Sequence, residues 1–385
     1  MISRPGLVMV CDVDLGVPDG ARTHTVEVAR GFSRAGLAVH LIARGPDPRV
    51  DGVSYHPASG GEHERRRRSW SINSVATRTL WLERHAAGRL YVRVKWSTVP
   101  VAIVGRLLSY RVVSEVNDLA FGPSYQREIR CLVDYVKRLM MFVMGRASNG
   151  VVAGTEEAKS LLAREFHVPH DRIAVVPIGV DTEYFRPLDR DECLARAGLD
   201  PSRRYALFIG NFAPWVDFDT LLEAFAAVLA TQPDLRLLLV GDGDERERIV
   251  SIIEQLNIAD AVIMTGFVRD RERIRDLLGA ATLLLASHRH QDLDRIGMNA
   301  TKIAEYLAAG RPIVAKDVAR LQEMIEQPGA GLVVPDSAEA MAAAMVSVLE
   351  PGRAEQMGGA ARREAVEHYS WDATIRLTLP LFETR

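Results

Sequence analysis

Short apolar runs alternate with longer amphipathic ones along most of this chain, and the alternation restarts midway. In the first half, residues 7–12, 38–43, 90–94, 111–116, 150–152 and 173–176 predict strands. Helical spacing of apolar positions predicts helices over 21–35, 71–85, 98–109, 125–145 and 156–166. Near-continuous apolar strands separated by helices imply a parallel sheet covered on both faces. The second half repeats the scheme, with strands over 205–209, 236–240, 262–265, 282–286 and 312–315. Its helices fall over 219–231, 244–256, 271–280, 302–309 and 338–349. Residues 176–187 contain Pro and Gly without clear periodicity, so they predict a linker between two doubly wound domains. The expected domains are 1–180 and 181–368, with the amphipathic tail 369–385 packing back on the first. The cleft between them is the default ligand site.

Composition narrows the class. The 385 residues are 25% charged and 48% apolar, with a formal net charge of -2, which gives no support for nucleic-acid binding. No apolar run reaches the ~18–20 residues of a membrane span. The first residues enter a strand-like run and show no secretory leader. Cys11, Cys131 and Cys193 lie far apart, as reduced thiols of a cytoplasmic protein would. The charge run Glu62-His-Glu-Arg-Arg-Arg-Arg68 predicts a solvated loop or a basic lip for an anionic acceptor or membrane surface.

The most informative segment runs from Gly297 to Val314 and predicts a loop, a short helix stopped by Gly310, then a buried strand. Asn299 or Thr301 can cap that helix, leaving backbone N–H groups free to face an anion. Lys302, in the first turn, opposes the helix dipole but is well placed to meet a phosphate. Glu305, one turn on, shares the Lys302 face, and its carboxylate can accept hydrogen bonds from ligand hydroxyls. The alternative is a surface ion pair worth about 0.2–0.5 kcal/mol.

Gly179-Val-Asp181-x-x-x-Phe185-x-Pro187, Gly241-Asp-Gly243, Gly266-Phe-Val268 and Glu305-Tyr-Leu-Ala-Ala-Gly310-x-Pro312 occur in that order. Together they resemble family 4 of the retaining glycosyltransferases, most strongly over residues 147–335. The resemblance implies the GT-B fold, two Rossmann-like domains facing across a cleft. It implies a nucleotide-sugar donor on the second domain, an acceptor on the first, and no metal or other cofactor. UDP-sugars are favoured over GDP-sugars. On the donor side it implies Gly210, Phe267 and Val268, then Met298, Asn299, Ala300 and Thr301, with Lys302, Glu305 and His288. Lys302, Glu305 and Asn211 are the implied catalytic residues. Gly20, Ala21, Arg93, Asn117 and Asp118 stand on the acceptor side, with Glu115 a further candidate.

This chain departs from the family pattern in three places. Asn211 and Val216 replace an Arg and a Lys that clamp the diphosphate, Gly297 replaces the first of two glutamates, and Asn117 replaces a frequent His. The chain resembles a subset with an Asn-x-x-x-Trp segment and a Lys-x-x-Glu-Tyr helix, in which Lys302 would be the remaining cation. Asp292-Leu-Asp294 and His288-Arg-His290 mimic metal motifs without the context a metal site needs. The expected activity is front-face transfer of a hexose-type sugar to a small-molecule, carrier-bound or lipid-linked acceptor. A nucleotide-sugar-binding scaffold without turnover is the alternative, and an epimerase lacks visible acid and base residues. The expected partners are the sugar donor and acceptor, with peripheral membrane contact open and a monomer or homodimer.

Overall fold

The computed structural model describes residues 5–17, 19–59, 65–116, 132–289, 301–318 and 320–383. The chain forms two compact units, Met1–Gly179 with Trp371–Arg385, and Val180–Ser370. Each is a parallel sheet with helices on both faces, the Rossmann-like architecture of a GT-B protein.

The first unit has seven strands: β1 (Gly6–Asp14), β2 (Ala38–Arg44), β3 (Val53–Ala58), β4 (Ala87–Arg93), β5 (Arg111–Val116), β6 (Gly150–Ala153) and β7 (Ile173–Val175). Their order is β3-β2-β1-β4-β5-β6-β7, so the winding reverses between β1 and β4. Side chains alternate along β1 between two cores. Leu7, Met9 and Cys11 pack with Phe32 and Ile375, whereas Val8 and Val10 pack with Ile72 and Ala76. This two-sided burial is why the strand reads as an unbroken apolar run.

The second unit has six strands: β8 (Arg204–Ile209), β9 (Leu235–Val240), β10 (Val262–Gly266), β11 (Leu283–Ala286), β12 (Ile313–Lys316) and β13 (Gly331–Val334). Their order is β10-β9-β8-β11-β12-β13, with the reversal between β8 and β11.

Several features depart from the pattern-based expectation, among them a further helix, Arg353–Glu364. Strand β3 carries Pro57, which normally argues against a strand, but β3 is an edge where a missing N–H donor costs little. Strand β13 spans four residues, too few to show a period. A helix, Arg190–Ala197, follows the expected linker; Asp189 accepts from the Glu192 N–H at 2.9 Å, and Gly198 ends it at φ 69°. The helix before β4 begins at Arg65, so Arg65–Arg68 belong to it rather than to a loop. Cys131 and the first part of the helix expected over 125–145 lie outside the described residues; the described helix is Leu132–Ala147.

The tail helix Trp371–Thr378 and the turn Leu379–Phe382 complete the first unit's core. Trp371, Ile375, Leu381 and Phe382 pack with Phe32 and Tyr91. Gly179 faces the indole so closely that a Cβ there would lie 2.3 Å from a Trp371 ring carbon. Trp371→Ala should therefore cost the first unit about 3–5 kcal/mol. In a urea titration its transition should move to lower denaturant, with that of the second unit unchanged.

Candidate functional site

In open α/β sheets ligands gather outside the strand carboxyl ends, where the winding reverses. In the second unit that place lies beyond β8 and β11. Lys302, in the first turn of the Thr301–Ala309 helix, extends its ammonium over the Phe208 ring, 4.8 Å from the centroid. A Cβ at Gly210 would lie 3.1 Å from Lys302 Nζ, so β8 ends against this cation. Among the described residues no carboxylate pairs with Lys302, and burial lowers its pKa to about 8.

Tyr306 fixes the helix at the reversal. Its buried hydroxyl accepts from the Ile209 N–H at 2.9 Å and donates to the Leu285 carbonyl at 3.4 Å, bridging the ends of β8 and β11. Glu305 precedes it, half-buried, with its pKa raised to about 7 by burial against a smaller opposing pull from Arg271. The Arg271 guanidinium is itself stacked on Tyr184 at 4.8 Å.

Two tight loops complete the edge. At Gly241 (φ 151°) a Cβ would sit 1.9 Å from the Gly210 carbonyl oxygen, so backbone runs on backbone there. Asn211 is exposed, and its Oδ1 would lie 2.5 Å from a Cβ at Gly243, which places it by the Gly-Asp-Gly turn. Phe267 is 70% exposed just past β10, with the Arg269 guanidinium 6.0 Å from its ring centroid, and Val268 packs partly against the core.

The stretch from Asn211 to Asp217 is anchored from below. Val216 is buried with Phe208 and Phe212, so that position faces the core instead of a ligand. Asp217 caps the Phe218–Leu229 helix and pairs with Lys316, which is fully buried and also lies 2.5 Å from Asp336. Burial opposes ionisation of Asp217, but Lys316 and Thr220 outweigh it and hold its pKa below the usual carboxylate value. Ser287 donates to the Asp217 carbonyl at 2.8 Å, tying the stretch to β11.

His288 follows and is 4% exposed, and its Nδ1 has no hydrogen-bond partner among the described residues. Burial, then the charges of Lys302 and Lys316, lower its pKa to about 3, so the imidazole is neutral. Thr301 is exposed at the helix start. Met298, Asn299 and Ala300, with Gly297, His290, Asp292 and Asp294, lie outside the described residues. Among the described residues no three His, Cys, Asp or Glu side chains are grouped to hold a metal ion.

The first unit shows a matching arrangement at the β1–β4 reversal. Asp19 caps the Gly20–Arg34 helix through the Arg22 N–H, and Arg93 donates to the Ala21 carbonyl at 3.1 Å. Gly20, Ala21 and Arg93 are therefore brought together, although a Cβ at Gly20 would meet nothing within 4 Å. Glu115 is buried, 2.5 Å from His24 Nε2, and His24 stands edge-on to Trp371 at 5.3 Å. Burial alone would raise the Glu115 pKa, but His24, with Arg93 nearby, brings it down to about 2. Glu115 is thus committed to an internal contact with His24. Asn117 and Asp118 lie outside the described residues.

The family model described as Glycosyltransferase Family 4 matches residues 18–184, and that described as Glycosyl transferases group 1 matches residues 203–351. The chain belongs to glycosyltransferase family 4. Among curated proteins, the D-inositol 3-phosphate glycosyltransferase of Segniliparus rotundus is 32% identical over 236 residues, which is 59% of this chain and 50% of that one. The protein of the same name from Rhodococcus jostii is 30% identical over 235 residues, 59% of this chain and 50% of that one. The chain thus spans about half the length of these curated relatives. Sucrose-phosphate synthase from Thermosynechococcus elongatus superposes with a TM-score of 0.70 at 18% identity, over 99% of this chain and 98% of that one. Anabaena HepE in complex with UDP gives 0.67 at 16% identity, over 99% of each chain. At such identities the likeness establishes the fold.

Within this family 4 chain, sequence reasoning missed Phe208, Tyr306, Arg271 and Lys316. Tyr306 adjoins the singled-out Glu305, and Asp217-x-x-Thr220 was a visible cap signal. Phe208 and Lys316 look like ordinary strand residues until the strands are ordered. Lys316→Ala would leave buried Asp217 with Arg289, 3.6 Å away, as its remaining cation, so the second unit should lose up to about 3–5 kcal/mol. The Asp217 pKa is depressed in the folded state, so its stabilising contribution is present above the ordinary carboxylate range and lost as pH falls through the lowered value. Urea titrations at neutral and acidic pH should show the wild-type advantage over Lys316→Ala shrinking in acid.

Proposed function

We propose that this chain transfers a hexose-type sugar, with retention at the anomeric carbon, from a UDP- or GDP-sugar to an acceptor hydroxyl. The carrying observation is the Lys302 ammonium on the Phe208 face, with Glu305 one turn along the helix, beyond the β8–β11 reversal. A diphosphate there would meet a cation and helix-end N–H groups, while Glu305 would accept from the ribose hydroxyls. As the glycosidic bond breaks, negative charge builds on the diphosphate, and Lys302 stabilises it. That phosphate can then take the proton of an acceptor attacking from the same face, so the reaction demands neither a separate base nor a metal.

On this reading, Asn211, Gly210, His288 and Thr301 line the donor side and the Phe267–Val268 backbone meets the base. Met298, Asn299 and Ala300 would complete the helix start. Gly20, Ala21, Arg93, Asn117 and Asp118 serve the acceptor. UDP is the favoured nucleotide, supported by the Anabaena HepE complex with UDP. The curated relatives' names support a small acceptor, with carrier-bound and lipid-linked acceptors also within this reading.

A scaffold that binds nucleotide sugar without turnover is the second reading, favoured by Asn211 and the core-facing Val216 where the family has cations. Incubation with UDP- and GDP-sugars separates the two: slow donor hydrolysis supports the enzyme, and binding without hydrolysis or transfer supports the scaffold. Lys302→Ala should lower kcat/KM by about 10²-fold or more without shifting the unfolding transition. Unchanged donor affinity in both Lys302→Ala and Glu305→Ala would remove the site assignment.

Charge states give a further test. Lys302 is charged below about 8 and Glu305 ionised above about 7, so UDP-sugar affinity should peak between those values. Above the peak it should fall about tenfold per pH unit, because the free protein loses the ammonium proton. Calorimetry should show the alkaline fall vanish in Lys302→Arg, since arginine keeps its charge.

A further inference from the structure

The Arg65–Glu83 helix is apolar on two sides. Ile72, Ala76 and Leu80, four residues apart, are fully buried against the sheet. Facing water, Trp70 is 80% exposed and Trp81 and Leu82 are each 55% exposed. The two tryptophans are separated by three helical turns plus about 20°, so both indoles lie along one line, ~16 Å apart. A water-facing helix side ordinarily carries polar residues.

Cations accompany the indoles. Arg78 and Arg84 are exposed, and the Arg84 guanidinium lies 4.4 Å from the Trp81 ring centroid. The helix has no acidic residue in its first turn, so nothing there offsets an anionic partner. The Val99–Leu107 helix packs alongside and adds Leu107, 79% exposed, next to exposed Arg106. Indoles interleaved with arginines suit the boundary between lipid headgroups and acyl chains. No helix among the described residues is long and apolar enough to cross a membrane, so the contact is a surface one.

We propose that the outer face of the Arg65–Glu83 helix docks on an anionic lipid bilayer, with the helix lying in the membrane plane. The helix connects the carboxyl end of β3 to the start of β4, so its first turn lies at the sheet edge that carries Ala21 and Arg93. Docking would bring that edge close to the headgroups. Two copies of this face would repel through their arginines, which disfavours self-association. The inference stands independently of the chemistry at Lys302.

Cosedimentation of the full chain with phosphatidylcholine vesicles, with and without phosphatidylglycerol, tests this. Binding should require phosphatidylglycerol and weaken with salt. Arg78→Gln and Arg84→Gln should each lower partitioning up to about fivefold. The double variant Trp70→Ser, Trp81→Ser should fall to the phosphatidylcholine level while keeping its unfolding transition and UDP-sugar affinity. Equal binding to both vesicle types, no vesicle binding, or wild-type binding by the double variant would overturn the proposal. A dimer abolished by Trp70→Ser, without vesicle binding, would assign the face to a second copy instead.

Discussion

A lysine ammonium resting on an aromatic face, with no described carboxylate to neutralise it, sets the character of the second unit's strand-carboxyl edge. Withdrawing a charge from water is costly, and contact with a ring quadrupole returns only about 0.5–2 kcal/mol. The remainder appears as the lowered pKa of Lys302. Among the described residues no carboxylate completes this cation's interactions, and an anionic ligand would. Its position is set by Tyr306, which bridges β8 and β11, and by the close passage of Gly241 under Gly210. A preorganised cation of this kind need not be reoriented as charge develops on a leaving group.

Two other charged groups in the same unit show the contrast. Lys316 is more deeply buried but shares its proton-rich end with Asp217 and Asp336, so it works as an internal fastener. His288 lies within the field of both lysines and answers by staying neutral. The edge therefore holds a cation paired with Asp217 and Asp336 that secures the Asn211–Asp217 stretch, a second cation with no described carboxylate partner, and a neutral imidazole. In the first unit, Glu115 and His24 are buried against each other, which leaves Ala21 and Arg93 as the more open features of that edge.

Much of this was legible in the chain because parallel strands buried on both faces announce themselves as apolar runs. The helix carrying Lys302 and Glu305 was legible for a different reason: Gly310 and Pro312 mark its end and the turn into β12. Edge strand β3 escaped because its proline reads as a break, and β13 because four residues show no period. What no linear pattern supplies is strand order. Phe208 and Lys302 are distant in sequence and meet only because β8 and β11 are neighbours while β12 lies farther out. The same holds for His24 and Glu115, which need β1, β4 and β5 side by side.

The return of the tail to the first unit has a consequence for biogenesis. Trp371, Ile375, Leu381 and Phe382 belong to the same packed interior as Leu7 and Met9. During vectorial synthesis, the amino-terminal sheet emerges from the ribosome well before those side chains exist. The intervening unit, Val180–Ser370, is a separate compact unit whose residues are all made before the tail. The usual order, in which the amino-terminal domain matures before the one behind it, is thus inverted at the final step. Until the tail is made, Leu7, Met9 and Phe32 lack part of their apolar cover.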